Sequence, residues 1–215
     1  LATSGPEGTA QIWDAVTGER LVTLAGHREA ILALAYNPDG TRIATASYDA
    51  TTKVWDAETG AELLTLSGNA SRHTGVAFSP DGSLLAVVSD DGTAKVWDTT
   101  GGQQLFTLSG HSSAIRAVAF SPDGTHIATA SDDTSVRIWQ ATPTRELFTL
   151  TGHTQIIYAG HFSPDGTRLL TSSTEGKVKV WDALNGDLLF TLSLTTGDNL
   201  NGGAFIPDGK LIATG

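Results

Sequence analysis

The sequence predicts an all-β chain in which one four-stranded antiparallel sheet is written several times over, and three markers carry that prediction. The five tryptophans, Trp13, Trp55, Trp97, Trp139 and Trp181, recur every 42 residues, and all but Trp139, which precedes Gln140, are followed by Asp. The turn Asn37-Pro38-Asp39-Gly40 returns as Ser-Pro-Asp-Gly at 79–82, 121–124 and 163–166, then as Ile-Pro-Asp-Gly at 206–209, one residue late. Gly-His stands at 26–27, 110–111 and 152–153, with Gly68-Asn69 in the remaining slot. Self-similarity at a fixed period of this size is the signature of a repeat architecture.

Residues 26–67 show how one copy is made. Ile31–Tyr36 is apolar almost throughout, with small residues at Ala33 and Ala35; a continuous apolar run of this kind suits a first strand covered on both faces. Asn37–Gly40 ends it. Proline presets φ, Asp tolerates the next position, and Gly40 accepts the left-handed conformation that closes a three-residue hairpin. Arg42–Ser47, built of β-branched and small residues, is the second strand, and the alternating Thr51–Trp55 is the third. A turn closing on Thr59-Gly60 leads into the fourth strand, Glu62–Leu66. No helical period competes with this pattern, and Pro or Gly interrupts the chain at short intervals.

One such sheet has two apolar faces and too little core to stand alone. Copies fanned around an axis bury both faces of each sheet, which is the β-propeller solution. The residue sizes follow the taper. The first and second strands carry Ala, Gly, Thr and Ser, where sheets crowd the axis. The fourth carries Leu63, Leu64 and Leu66, with Phe106, Phe148 and Phe190 at the equivalents of Leu64, where the gaps widen.

Gly-His, then x-Pro-Asp-Gly, then Trp-Asp at this period resembles the WD40 repeat family, and the match runs over essentially the whole chain. The uniform wording of the units, as in Phe120–Trp139, is similar to prokaryotic-type WD40 proteins. The resemblance implies one WD40 domain over 1–215, with blade parts 1–25, 26–67, 68–109, 110–151, 152–193 and 194–215, here called blades 1 to 6. Leu1-Ala2-Thr3 aligns with Ile43-Ala44-Thr45, so the chain opens in a second strand; it closes in another at Leu211–Gly215. Blade 6 departs from pattern, with Leu194-Thr195 replacing Gly-His and one residue inserted between Ser193 and Phe205. Three, sixteen and two strands make about five and a quarter repeats. WD40 propellers are most often seven-bladed, so the expectation is an incomplete propeller, a fragment of a seven-bladed or larger ring.

Composition excludes several function classes. The absence of Cys removes disulfides, thiol chemistry and Cys-based zinc sites. A net charge of −10 argues against nucleic acid or an anionic membrane as the main partner. No stretch is long and apolar enough to span a bilayer as a helix, and no signal peptide is visible, so a cytoplasmic location is expected.

A His, a Thr hydroxyl and an Asp repeated along the chain could also describe nucleophilic catalysis. An enzyme does not need its site several times over. The resemblance instead implies a buried hydrogen-bond network that ties each blade together: His27, Thr45, Asp49 and Trp55; His111, Thr129, Asp133 and Trp139; His153, Thr171, Glu175 and Trp181. The one complete unit lacking the histidine, at Asn69, also lacks the hydroxyl, at Val87. The pairs Asp90-Asp91 and Asp132-Asp133 lack the oxygen-ligand spacing of a calcium loop and read as solvated turns. His73 and His161 fall outside the Gly-His slot and read as packed or solvated. Pro143-Thr144 replaces the Thr-Gly turn. The glycines show no phosphate-loop context, and no metal, cofactor or catalytic residue is expected.

Function is sought where equivalent positions vary. One such position near the start of the first strand reads Leu32, Thr74, Arg116, Tyr158 and Asn201; two residues earlier stand Ala30, Arg72, Ala114, Ile156 and Asn199. Before the turn acid come Pro6, Tyr48, Asp90, Asp132 and Thr174. In propeller geometry the three sets converge on one rim of the channel, the face WD40 proteins commonly use for peptides and protein partners. Arg72, Arg116, Tyr158 and Tyr48, with Asp90 and Asp132, are the candidate partner-binding residues. The expected function is a non-catalytic interaction scaffold for a protein or peptide. The alternative is a sensor or autoinhibitory domain of a larger NTPase, protease or kinase.

Overall fold

The computed structural model describes residues 1–142, 145–193 and 202–214, and these contain 21 strands and no helix. Blade 1 has three strands, Ala2–Ser4, Thr9–Trp13 and Arg20–Ala25. Blades 2 to 5 have four each, paired antiparallel in chain order. Blade 2 holds Ile31–Tyr36, Arg42–Ser47, Thr51–Asp56 and Glu62–Ser67; blade 3 holds His73–Phe78, Leu84–Ser89, Thr93–Asp98 and Gln104–Ser109. Blade 4 holds Ile115–Phe120, His126–Ser131, Val136–Gln140 and Arg145–Leu150; blade 5 holds Ile157–Phe162, Arg168–Ser173, Lys177–Asp182 and Leu188–Ser193. Gly203–Phe205 and Ile212–Thr214 form a final pair. The third and fourth strands of blade 2 each run one residue beyond the expected end. Pro143-Thr144, Leu194-Thr195, Asn199 and Asn201 lie outside the described residues.

The Pro-Asp-Gly hairpin is wider than expected. The Asn37 N–H donates to the Arg42 carbonyl at 3.0 Å, which leaves four residues, 38–41, in the loop. The Asn37 Oδ1 accepts the returning Arg42 N–H at 2.8 Å, so a side chain replaces one backbone bond. Ser79, Ser121 and Ser163 do the same with their hydroxyls for Leu84, His126 and Arg168. The need for a short side-chain acceptor accounts for Asn or Ser before the proline.

The first strands of successive blades lie side by side, Ile31–Tyr36 against His73–Phe78, then Ile115–Phe120, then Ile157–Phe162, and the later strands diverge from this hub. The core is therefore a series of seams between blades. Leu24 and Ala10 of blade 1 meet Ile31, Ile43 and Trp55 of blade 2, and Val54 and Leu66 of blade 2 meet Leu85, Val87 and Trp97 of blade 3. Burying one such Leu or Ile contributes on the order of 2 kcal/mol. The turn glycines Gly60, Gly102 and Gly186 each close a seam against the preceding blade. Gly60 has φ +75°, and a Cβ there would stand 2.7 Å from the Val22 side chain of blade 1, so both backbone and space require glycine.

Two expectations about coverage are corrected. The first strand is not covered on both faces, because it lines the channel: Leu32 and Tyr158 are each 40% exposed. Of the fourth-strand leucines, Leu64 and Leu66 pack into the seam with blade 3, but Leu63 does not; Leu66 is 2% exposed and Leu63 43%. Blade 5 differs again. Its Phe190 and Leu192 are exposed, because the final strand pair packs on Leu170 and Val178 and leaves the fourth strand uncovered.

Candidate functional site

Three of the complete blades carry one relay. In blade 2 the Trp55 indole N–H donates to the Thr45 hydroxyl at 2.8 Å, and that hydroxyl lies 2.8 Å from His27 Nε2. His27 Nδ1 lies 2.9 Å from Asp49 Oδ2. The chemistry orders the protons. A carboxylate only accepts, so Nδ1 carries the hydrogen; Nε2 is then an acceptor, and Thr45 donates to it while receiving from Trp55. Blade 4 repeats this through Trp139, Thr129, His111 and Asp133 at 2.9, 2.8 and 2.8 Å. Blade 5 does so through Trp181, Thr171, His153 and the longer Glu175 at 2.9, 2.8 and 2.6 Å.

The acids are held as carboxylates. Burial works against the charge on Asp49, but the Thr51 hydroxyl, the Arg28 N–H and His27 outweigh it and bring its pKa to about 2. Asp133 also falls to about 2, burial being overcome by the Ser135 hydroxyl and His111; Glu175 reaches about 2 through Thr154 and His153 against the same opposition. Burial lowers His111 and His153, only partly offset by their acids. Asp91 accepts the Ala70 and Thr93 N–H groups at 2.9 Å each, so it and Asp133 are bonded groups rather than solvated turns.

Blade 3 breaks the relay. With Val87 in place of the hydroxyl, the buried Trp97 indole nitrogen has no hydrogen-bond partner. Asn69 Nδ2 donates to the Thr93 hydroxyl at 2.9 Å, while its Oδ1 is buried without a partner. A histidine here would find no donor for Nε2, which explains why histidine and hydroxyl vanish together.

On the rim the structure joins Tyr48, Arg72, Asp90, Arg116 and Asp132 into one chain of contacts across three blades. The Arg72 guanidinium of blade 3 lies over the Tyr48 ring of blade 2, its carbon 4.5 Å from the ring centroid, within cation–π range. Its ion pair with Asp90 is long, 3.8 Å. Arg116 of blade 4 donates from Nη1 to Asp90 at 2.8 Å and grips Asp132 through Nε and Nη2 at 2.8 and 2.5 Å. Asp90 and Asp132 are therefore bound carboxylates, not solvated ones. Leu32, Tyr48, Arg72, Thr74, Asp90, Arg116 and Tyr158 line one open hollow of about 500 Å³. The candidate Asp132 does not line it, nor do Ala30, Ala114, Ile156, Pro6 and Thr174.

One buried pair escaped sequence reasoning. His73 is fully buried, and its Nδ1 shares a 2.8 Å hydrogen bond with the Thr52 hydroxyl across the seam between blades 2 and 3. Aligning the units shows the signal: Ile31, Ile115 and Ile157 occupy the position of His73, and Ala94, Val136 and Val178 that of Thr52. His161, by contrast, is exposed.

Wedge-shaped four-stranded sheets, hub-to-hub first strands and a Trp-Thr-His-acid relay define a repeat propeller. A family model described as WD domain, G-beta repeat, matches residues 18–56, 60–98, 102–140 and 144–182, well over half of the sequence, and the chain belongs to the WD40 family. Each matched segment takes the fourth strand of one blade with the first three of the next, so the sequence repeat is staggered against the sheet by one strand. Coronin-7 from Mus musculus and Coronin-7 from Bos taurus are each 44% identical to this chain over 45 residues, which span 21% of the chain and 5% of those proteins.

Proposed function

We propose that this chain is a non-catalytic interaction module that seats a peptide or protein partner in the rim hollow bounded by Tyr48, Arg72, Arg116 and Tyr158. The observation that carries this reading is the hollow itself, where tyrosine, arginine and leucine side chains stand partly exposed on strands held rigid by the seams beneath. Exposed aromatics and arginines on a rigid frame are the anchors that interfaces favour. A catalytic reading of the relay meets an obstacle in access. Thr45, Thr129 and Thr171 are 0% exposed, each already shared between an indole and an imidazole, so no substrate carbonyl reaches them. The relay serves the blade.

The test is affinity capture with quantitative comparison of partners between the wild type and Tyr48→Ala/Tyr158→Ala. Neither tyrosine belongs to a seam core, so melting should be unchanged. The double variant should lose the specific partners. An identical partner set would refute the reading.

A further inference from the structure

The two rim arginines are in different states. Arg116 is closed: three of its nitrogens are engaged by Asp90 and Asp132, and 29% of its side chain is exposed. Arg72 is open: 55% of its side chain is exposed, and its one ion pair among the described residues is the 3.8 Å approach to Asp90. Stacking on Tyr48 fixes the Arg72 guanidinium in place without using its N–H donors. A cation that is positioned but unspent is a pre-arranged donor fork. Around it stand exposed apolar surfaces, Leu32, Tyr48 and Tyr158, within the same hollow.

We infer that the hollow recognises a peptide by a single carboxylate, which takes the free N–H donors of Arg72, with a neighbouring apolar or aromatic side chain laid against Leu32, Tyr48 and Tyr158. This rests on the rim reading above and adds the chemistry of the partner. Charge balance argues for one carboxylate and against an acidic run or a phosphate dianion. Arg72 and Arg116 against Asp90 and Asp132 make the cluster neutral overall, so one carboxylate adds a single negative charge where a phosphate dianion would add two, and the chain's net −10 repels acidic stretches. The carboxylate can be a Glu or Asp side chain or a free chain terminus, since both present the same planar pair of oxygens to a guanidinium.

The test uses fluorescence anisotropy with labelled peptides of one neutral sequence centred on Leu-X-Phe. Blocked forms carry Glu, Gln, Lys or phosphoserine at X, and one further form has Gln at X and a free carboxyl terminus. Binding of the Glu or free-terminus peptide about tenfold more tightly than the blocked Gln peptide is expected. That preference should vanish in Arg72→Gln, return in part in Arg72→Lys, and weaken with salt. Equal binding of Glu and Gln peptides, tightest binding of the Lys or phosphoserine peptide, an undiminished preference in Arg72→Gln, or no binding by any of the peptides would overturn the inference. The rim reading is judged separately. If the peptides bind without charge preference and Tyr48→Ala/Tyr158→Ala abolishes binding, the rim stands and the carboxylate falls. If binding ignores both the charge and the tyrosines, both fall.

Discussion

A threonine hydroxyl both donates and accepts, and that double capacity decides whether a blade can use its histidine. Replacing His111 by Ala leaves the Thr129 hydroxyl and Asp133 each short of a buried partner, and Asp133→Ala leaves His111 Nδ1 unpaired. Each change should cost about 1–3 kcal/mol in thermal or urea unfolding. Unchanged melting in both would show that the relay does not hold the blade. Blade 3 permits the reverse experiment. Val87→Thr is close to isosteric and supplies an acceptor for the Trp97 indole, so it should stabilise by about 1 kcal/mol. Asn69→His alone should destabilise, since its Nε2 finds no hydroxyl, and the two together should exceed the sum of the singles, a coupling a double-mutant cycle measures. The same logic ranks the tryptophans. Trp97→Phe removes no hydrogen bond and should cost less than Trp139→Phe, which takes from the Thr129 hydroxyl the donor it accepts from.

Where two blades meet, the seam between the third strand of blade 2 and the first strand of blade 3 is the exception. In three other seams this position pairs Ala or Val with Ile: Ala10 and Ile31 share one core, Ala94 and Ile115 another, Val136 and Ile157 a third. Here it is Thr52 and His73, and the imidazole Nε2 is buried without a partner. Burial brings the His73 pKa down to about 4, against the attraction of Asp49 and Asp91 and with the repulsion of His27. A base whose folded pKa is depressed gives its full stability above the unfolded value, about 6.5, and loses it as pH falls toward 4. The loss should approach about 3 kcal/mol, the shift converted at 1.36 kcal/mol per unit. Thr52→Ala/His73→Ile copies the neighbouring seam of blades 3 and 4 and should abolish this share of the pH slope. Urea unfolding at pH 7 and pH 5 checks it; an unaltered slope would mean that His73 stays hydrated in solution. The strand pattern around this seam was legible in the sequence, because periodic Trp, Pro-Asp-Gly and Gly-His marks fix register. The histidine's burial was not, since one polar residue on an apolar strand reads equally as inward or outward until the facing Thr52 is known.

Across the assembled blades, the architecture was written in the period and the site only in outline. Variation between units picked out residues that the structure gathers around one hollow, but the ladder from Tyr48 to Asp132 depends on how far each blade is turned against the next, which no local pattern encodes. The wider hairpin and the channel-facing first strand were hidden for a related reason, since both follow from what a neighbour covers or a side chain replaces. The relays add up in a way that one measurement can expose. Asp49, Asp133 and Glu175, in three different blades, each have a folded pKa of about 2. Their unfolded values are about 4, so each contributes stability that is complete above that value and lost as pH falls toward 2. At on the order of 2–3 kcal/mol per group, the three together rival the entire stability of an ordinary domain. The decline should begin earlier, below about 6.5, where unfolded histidines bind protons that burial denies to His73, His111 and His153 in the fold. Unfolding free energies from pH 7 to pH 2 should therefore fall in two stages, with the steeper one below pH 4. Asp133→Asn keeps an acceptor for His111 and removes the titration, so it should be less stable at pH 7 yet shallower by about one proton in the acid stage. An acid slope identical to the wild type would show that the blade 4 carboxylate is not held by its histidine in solution, and the sharing of stability among the blades would have to be carried by the apolar seams alone.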